Sequence, residues 1–378
     1  MSTLTSNFIN PVTRPTLLLD EHKCKANIAA MAEKARRLNL QFRPHFKTHQ
    51  SHEIGRWFRA HGVDKITVSS LSMASYFALD GWNDITVAFP VNVLEFETIN
   101  MLAARIKLNL LVESVESIKL LNNGLHHDVN FFIKIDAGYH RTGISYDDLS
   151  LINAVLTAAS HADHLRFIGF LTHAGNSYEA RGREEIMAVH HESTDRLRSL
   201  KMHYVNDYPE MIISVGDTPT CSTMEDFSGV DEIRPGNFVF YDLMQVNIGS
   251  CSFDQIAVAM ACPVVAIHKE RNEIVIYGGA VHFSKEGLKD PRSGIIYGKV
   301  AEHRETFWGN AIEGFCLVKL SQEHGILHVP GNIIDRYKTG DILTILPVHS
   351  CLTADAMKSY LTTEGGLIRL IQNAQAQR

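Results

Sequence analysis

The chain has 378 residues, of which 45% are hydrophobic and 21% charged, and its net charge is −6. This composition is that of an ordinary globular protein, and the length favours one large domain plus a smaller one. Because it has no Lys/Arg-rich block and no apolar run long enough to span a bilayer, neither nucleic acid nor a membrane is expected as a partner.

An apolar, β-rich run followed by a helical pattern recurs eight times in the first part of the chain. Several of the runs are almost wholly apolar, as is typical of parallel strands that are buried on both faces. Eight such repeats predict an α/β protein in which residues 16–245 form a (β/α)8 TIM barrel. The runs are TLLLD (16–20), QFRPHFKT (41–48), KITVSS (65–70), DITVAFP (84–90), LNLLVES (108–114), NFFIKIDAG (130–138), LRFIGFLTHAG (165–175) and EMIISVGDTP (210–219).

The pattern changes after Val246, where strand-like runs with turn residues between them replace the long helical patterns. We therefore predict a second, C-terminal β-rich domain over residues 246–378, to which residues 1–15 could add a strand. The N-terminal residues lack a basic segment followed by an apolar core, so no signal peptide is expected and the protein is predicted to be cytoplasmic. The six irregularly spaced cysteines then indicate free thiols.

Lys47 lies in RPHFKTH (43–49), at the end of the second predicted strand. In a TIM barrel the chemistry takes place at the carboxyl ends of the strands. A lysine among apolar and cationic neighbours deprotonates more easily, and only the neutral amine can act as a nucleophile. The alternative is a solvated lysine that starts a helix.

RPHFKTH resembles the signature of the D-threonine aldolase and D-serine dehydratase family, whose barrel is of the alanine-racemase type. The resemblance extends from PTLLLD to HSCLTADAM. It implies that Lys47 covalently holds pyridoxal 5'-phosphate. It also implies that Arg141, in DAGYHRTG (136–143), lies near the phenolic oxygen of the coenzyme. His173, in THAGNSY (172–178), would lie across the coenzyme ring, and Tyr178 would reach the pyridine nitrogen or its surroundings. Lys47, His173 and Arg141 are thus the predicted catalytic residues.

Two glycine-containing segments are candidates for the phosphate site. In SVGDTPT (214–220), small residues let backbone N–H groups converge, which favours Gly216 and Thr218 as contacts. Asp217 is unfavourable beside a phosphate unless its side chain points away. RPGNFVFYD (234–242) resembles the second half of the family's phosphate cup and implies contacts from Gly236 and Asn237, with Tyr241 as a weaker candidate. Taken alone, RPGN could equally be a simple turn.

His349 and Cys351 are two residues apart in PVHSCLTAD (347–355), and on an extended chain they would face the same side. Imidazole and thiolate together suit Zn²⁺ and leave coordination positions for water and substrate, although Mn²⁺ or Mg²⁺ remain alternatives. The pair also matches the metal position of the family. There the dehydratases resemble H-x-C and the D-threonine aldolases resemble H-x-D.

The resemblance therefore implies a lyase that dehydrates a β-hydroxy D-amino acid, such as D-serine or D-threo-3-hydroxyaspartate, to a 2-oxo acid and ammonia. A D-threonine aldolase, an amino-acid racemase and a non-catalytic coenzyme-binding protein remain alternatives. Family members are dimers, so a homodimer is expected, with a small D-amino acid as the other partner. YGGAVHFSKE (277–286) resembles a family stretch that could shape the substrate pocket, and no role is assigned to His282.

Overall fold

The computed structural model describes residues 12–304 and 308–372. Contacts divide the chain into two compact units. The barrel unit comprises residues 29–47 and 54–236, and the described residues of the β unit are 12–28, 48–53, 237–304 and 308–372.

The barrel unit contains a sheet of eight parallel strands, in which the second to the eighth pair in chain order and the first pairs with the eighth. A parallel bridge between His45 and Thr67 joins the two ends of this sheet and closes the ring. The alanine-racemase-type barrel predicted from the sequence is thus confirmed. The strands are Gln41–Phe42, Ile66–Val68, Asp84–Pro90, Lys107–Val112, Val129–Asp136, Leu165–Leu171, Ile212–Val215 and Glu232–Ile233, and the short strand Ile144–Ser145 pairs with Val129–Asp136.

Polar caps directly after the strands determine where several helices begin. The hydroxyl groups of Ser70 and Ser114 accept hydrogen bonds from the backbone N–H groups of Met73 and Ser117. Each cap satisfies a donor that the first turn of a helix leaves unpaired. The α-helices that precede residue 237 are Glu21–Arg37, His52–Arg59, Leu71–Leu79, Phe96–Ala103, Val115–Gly124, Leu149–Ser160, Arg183–Tyr204 and Thr218–Thr223, with 3₁₀ turns at Val93–Glu95 and Gly175–Tyr178.

The β unit is built on a nine-stranded, mostly antiparallel sheet. The first strand in its order also pairs with Val258–His268, which closes six of the strands into a ring. This confirms the predicted C-terminal β-rich domain. The strands are, in sheet order, Glu273–Tyr277, His324–His328, Trp308–Leu320, Gly298–His303, Ile342–Pro347, Val258–His268, Thr16–Leu19, Ser359–Thr362 and Leu367–Arg369. The unit also contains the hairpin Leu288–Asp290/Gly294–Ile296, the helices Leu243–Ile248, Ala280–Phe283 and Ser350–Met357, and 3₁₀ turns at Asn237–Val239, Phe253–Gln255, Lys269–Arg271 and Ile334–Arg336.

One strand assignment made from the sequence is wrong, and one barrel strand was not predicted. Thr16–Leu19, predicted as the first barrel strand, pairs with Val258–His268 and Ser359–Thr362 in the β unit. A four-residue apolar run has the same pattern in either kind of buried sheet, so the sequence could not distinguish them. The remaining barrel strand is Glu232–Ile233, which is too short to show a periodicity. The strand predicted before Thr16 falls partly on residues 1–11, outside the described residues, and residues 12–15 are not in a strand.

A charged network crosses the interior of the barrel unit. Glu232 is 0% exposed, and its two carboxylate oxygens accept hydrogen bonds from Arg43 Nε at 2.6 Å and Ser214 Oγ at 2.7 Å. Arg43 also donates to Asp84, again at 2.6 Å. Because each charge has a partner, the network can be buried without the large penalty of an isolated ion.

We expect Glu232→Ala to lower the free energy of unfolding by about 3–5 kcal/mol, since it leaves the Arg43 guanidinium buried without its main partner. Urea unfolding followed by circular dichroism measures the change. Glu225→Ala is the matched control, because that carboxylate pairs with Arg37 on the surface and is 53% exposed. Its removal should cost less than about 1 kcal/mol. Equal losses in the two variants would contradict the assignment.

Candidate active site

The RPHFKTH segment follows the first barrel strand, and the residue before Lys47 is part of a buried aromatic cluster. Phe46 is 0% exposed, and its ring meets Phe77 and Trp82 edge-on at centroid distances of 5.0 and 5.1 Å. Lys47 itself is exposed, and its backbone N–H donates to Nδ1 of His45 at 3.3 Å. Close packing of Phe46 in this cluster fixes the backbone position of the neighbouring Lys47.

His173 follows the sixth barrel strand, and its Nδ1 is 2.5 Å from the carbonyl oxygen of Gly216. Because a carbonyl only accepts, Nδ1 carries the hydrogen, so a neutral ring keeps the lone pair on Nε2. Burial lowers the pKa of His173 to about 3 against the opposing effect of this hydrogen bond, and the charges of Arg141, Lys47 and Lys134 lower it further. The ring is therefore neutral at physiological pH.

The DAGYHRTG loop brings Arg141 to the same end of the barrel. Gly138 and Gly143 have φ values of +109° and +110°, and His140 between them has a φ of +57°. Glycine is needed at 143, where a Cβ atom would lie 2.7 Å from the backbone nitrogen of Asp136. The Arg141 guanidinium lies 5.2 Å from the centroid of the Tyr139 ring. That ring in turn packs edge-on against His173, at 6.0 Å.

The predicted phosphate segment SVGDTPT follows the seventh barrel strand. The backbone N–H of Thr218 donates to the hydroxyl of Tyr178 at 3.3 Å, which brings these two predicted contacts together. The side chain of Asp217 points into its own helix, where it accepts from the backbone N–H and the hydroxyl of Thr220. A Cβ atom on Gly216 would lie 2.8 Å from the Cβ of Arg234, so close strand packing explains this glycine.

The RPGN segment follows the eighth barrel strand, next to RPHFKTH. The backbone N–H of His45 donates to the carbonyl of Pro235 at 2.9 Å, and the partly exposed Gly236 comes next. The barrel unit therefore carries Lys47, Arg141, His173, Tyr178, Gly216, Thr218 and Gly236 on loops that follow strands of one parallel sheet. The positive charges of Lys47, Arg141 and Lys134 all act on His173, so the donor set fits an anionic coenzyme such as pyridoxal phosphate.

Asn237 and Tyr241 belong to the β unit. The Asn237 amide nitrogen lies 2.7 Å from Asp242 Oδ2, 3.0 Å from Ser350 Oγ and 3.4 Å from Cys351 Sγ. The amide thus connects this segment to the HSC segment, and its predicted contact with a phosphate stays a prediction. Tyr241 is buried and has a φ of +50°, an uncommon conformation for a residue with a large side chain.

The predicted metal pair lies after the strand Ile342–Pro347. Cys351 is already in the helix Ser350–Met357, so the pair is not on an extended chain as expected, but the two side chains are hydrogen-bonded to each other. His349 Nδ1 is 2.5 Å from Glu286 Oε2. Burial lowers the pKa of His349, but hydrogen bonds to Cys351 and Glu286 outweigh it and raise the pKa to about 11.

Imidazole nitrogen and thiolate sulfur are the ligand types that zinc prefers, and a carboxylate on the other ring nitrogen is a usual feature of such sites. The pair therefore fits a divalent cation that keeps further positions for water and substrate. Within residues 12–304 and 308–372, no cluster of three or more His, Cys, Asp or Glu side chains is arranged to hold a metal ion.

Comparison with known families identifies the architecture. The family model of the alanine racemase N-terminal domain matches residues 19–243, more than half of the chain. The chain belongs to this family. A second model, that of a serine dehydratase domain, matches residues 257–363 of this alanine racemase family member.

Two relatives, one of them with a solved structure, make the comparison more specific. A D-threo-3-hydroxyaspartate dehydratase of Delftia sp. strain HT23 is 30% identical over 92% of this chain and 93% of its own. A D-serine dehydratase of Dictyostelium discoideum is 29% identical over 93% of each chain. The solved structure of the Delftia dehydratase superposes with a TM-score of 0.87 at 28% identity, covering 96% of this chain and 98% of its own.

These matches confirm the family resemblance that was read from the motifs. The family supports pyridoxal phosphate as the coenzyme, and the related dehydratases are lyases, as predicted. Over the ranges that the structure describes, no helix combines the length and the apolarity needed to cross a membrane.

Two charged residues of this family member had no role in the sequence analysis. Lys134, on the strand Val129–Asp136, is 6% exposed and donates to the carbonyl of Ile135 at 2.9 Å. Burial, followed by the charges of Arg234 and Arg141, lowers its pKa to about 7. The sequence did contain a signal for Lys134, because a lysine inside the apolar run NFFIKID is unusual. Glu286, the partner of His349, had no comparable signal, because it is 63 residues away in sequence.

Like His173 in the barrel unit, His49 in the β unit should remain neutral. His49 is 0% exposed, its Nδ1 accepts the backbone N–H of Ser51 at 3.1 Å, and burial lowers its pKa to about 3. Between pH 6.5 and about 3 the unfolded chain therefore binds a proton that the folded chain does not. Folding stability attributable to His49 is complete above pH 6.5 and decreases as the pH falls through this window, by roughly 1 kcal/mol per pH unit.

We therefore expect wild type to lose stability more steeply than His49→Gln between pH 6.5 and 4.5. Urea unfolding of the coenzyme-free protein at several pH values measures the difference. His127→Gln, at an exposed position, is the matched control and should follow the wild-type curve. If the wild-type and His49→Gln curves remain parallel over this range, His49 does not stay neutral in the folded chain.

Proposed function

We propose that this chain is a pyridoxal-phosphate- and metal-dependent lyase that dehydrates and deaminates a β-hydroxy D-amino acid of the D-serine or D-threo-3-hydroxyaspartate type. The observation that carries the proposal is the hydrogen-bonded pair of His349 and Cys351, with Glu286 on the imidazole. Such a pair suits a cation that activates a hydroxyl leaving group, whereas a racemase needs a second acid or base instead.

Lys47 would hold the coenzyme, and its amine, once released and neutral, would remove the proton from the substrate's Cα. Pyridoxal phosphate, when bound, supplies an electron sink for the negative charge that develops at Cα. Arg141 adds a fixed positive charge at this end of the barrel, and neutral His173 offers the Nε2 lone pair as a hydrogen-bond acceptor. Gly216, Thr218, Gly236 and Asn237 are the proposed phosphate contacts, with Tyr241 as a weaker candidate, and Tyr178 is proposed to reach the pyridine nitrogen or its surroundings.

His349 and Cys351 would hold the divalent cation, for which Zn²⁺ is the best match to a nitrogen and a sulfur ligand. A bound cation supplies Lewis acidity, which makes the β-hydroxyl a better leaving group. Thr48, the residue that follows Lys47 in the sequence, lies with its hydroxyl 3.3 Å from Cys351 Sγ. In the net reaction the Cα proton and the β-hydroxyl leave as water, and hydrolysis of the resulting enamine gives a 2-oxo acid and ammonia.

Product analysis tests the proposal. Purified protein with pyridoxal phosphate and Zn²⁺ is incubated separately with D-serine, D-threo-3-hydroxyaspartate, D-threonine and D-alanine. We expect a 2-oxo acid and ammonia in equal amounts from one or both of the first two substrates, and no product after chelation. Parallel samples reconstituted with Mn²⁺ or Mg²⁺ identify the effective cation.

Other products would favour the alternatives. Glycine and acetaldehyde from D-threonine, with no 2-oxo acid from any substrate, would identify an aldolase. Inversion of D-alanine that survives chelation would identify a racemase. If no amino acid changes the absorption spectrum of the bound coenzyme, the chain is a non-catalytic coenzyme-binding protein.

A further inference from the structure

Glu286 is the last residue of the YGGAVHFSKE segment, and hydrogen bonds within the β unit fix the position of this segment. Its backbone N–H donates to the hydroxyl of Ser284 at 3.3 Å. The hydroxyl of Thr353 donates to the carbonyl of Phe283 at 3.2 Å, so the segment is tied to the helix Ser350–Met357 that follows His349. The carboxylate therefore approaches His349 from a segment whose preceding residues are hydrogen-bonded to the helix that follows His349.

A carboxylate on one ring nitrogen determines which nitrogen can act as a ligand. Ionised Glu286 only accepts hydrogen bonds, so the hydrogen of a neutral His349 ring must lie on Nδ1. Nε2 then carries the lone pair. The negative charge also makes the imidazole more basic and fixes the orientation of the ring. A neutral acceptor in the same place would fix the tautomer but add less to the basicity.

We propose that Glu286 is a positioning residue that presents Nε2 of His349 to a divalent cation and strengthens its binding. This inference depends on the metal-dependent function proposed above. It assigns a role to the YGGAVHFSKE segment and predicts that this carboxylate, which does not touch the cation, controls the affinity for it.

The test measures the Zn²⁺ dissociation constant of the full-length chain by competition with a chromophoric chelator at one pH. We expect Glu286→Ala to weaken Zn²⁺ binding about 10–100-fold. Glu286→Gln should bind with intermediate affinity, because its amide oxygen still accepts from Nδ1 without the negative charge. Glu323→Gln is the matched control, since Glu323 pairs with His282 at 3.8 Å in the same unit, and it should bind Zn²⁺ like wild type.

Unchanged Zn²⁺ affinity in both Glu286 variants would overturn the inference and leave the proposed function intact. A loss beyond about 10³-fold in Glu286→Gln would also overturn it, because Glu286 would then be a direct ligand. If wild type binds no Zn²⁺, the same comparison is made with Mn²⁺ and Mg²⁺, and if it binds none of the three, both this inference and the metal-dependent function fail. Should Glu286→Ala not fold, the Glu286→Gln measurement alone decides, with circular dichroism as the check on folding.

Discussion

Lys47→Ala is expected to lower the rate of 2-oxo acid formation by at least about 10³-fold and to abolish covalent attachment of the coenzyme. The substitution removes both the amine that would hold pyridoxal phosphate and the base that would take the Cα proton, and a general base alone contributes about 10²–10⁴-fold. Steady-state rates and the absorption spectrum before and after dialysis measure the two effects.

Two variants serve as controls for the lysine. Lys47→Arg keeps the positive charge but cannot supply a neutral amine, so it should be as inactive as Lys47→Ala. Lys119→Ala removes an exposed lysine from the helix Val115–Gly124 and should behave as wild type. A Lys47→Ala protein that retains its coenzyme through dialysis and keeps more than a tenth of the activity would show that another group has this role.

Cys351→Ala is expected to lower the dehydration rate by about 10²–10³-fold and to remove most of the bound cation. The substitution would delete one of the two proposed protein ligands, and the Lewis acidity of a cation at a leaving group contributes several kcal/mol to the barrier. Metal analysis of the purified protein and the rate at saturating substrate measure the two losses. Addition of Zn²⁺ at high concentration should restore part of the rate, since His349 remains.

The matched control is Cys316→Ala, which removes a buried thiol from the strand Trp308–Leu320 of the same unit. Its metal content and dehydration rate should equal those of wild type. Full dehydratase activity in Cys351→Ala, with no bound metal, would contradict a catalytic role for the cation at this position.

Most of the site residues that sequence reasoning located stand at the end of an apolar run. DAGYHRTG, THAGNSY and SVGDTPT each stand at the end of a strand of four or more residues, whereas RPHFKTH follows the two-residue strand Gln41–Phe42 and was located by its resemblance to the family motif. In a parallel sheet this position alone predicts that the segments meet at the same end. Seven of the eight predicted runs contain strands of the barrel, and they were sufficient to predict both the barrel and the end that carries its polar loops.

Elements that depend on long-range pairing could not be predicted in this way. Thr16–Leu19 is apolar enough for either sheet, and only its pairing with Val258–His268 and Ser359–Thr362 assigns it to the β unit. The two-residue strand Glu232–Ile233 is defined by pairing with its neighbours and not by any pattern of its own.

The contacts between side chains could not be predicted from the sequence either. Glu286 contacts His349 because two loops of the β unit meet, and Lys134 has a lowered pKa because the barrel buries it near two arginines. Asn237, assigned to phosphate by resemblance, proves to direct its amide toward Asp242, Ser350 and Cys351. Such contacts depend on tertiary packing, about which a local sequence pattern carries no information.

Borohydride reduction of the coenzyme-loaded protein, followed by proteolysis and mass spectrometry of the peptides, is the most direct test of the proposed chemistry. Reduction makes the bond between coenzyme and lysine permanent, so the modified peptide identifies the residue. We expect the added mass on the peptide that contains Lys47. The same mass on a different lysine, above all the buried Lys134 with its pKa of about 7, would contradict the assignment on which the proposed chemistry depends.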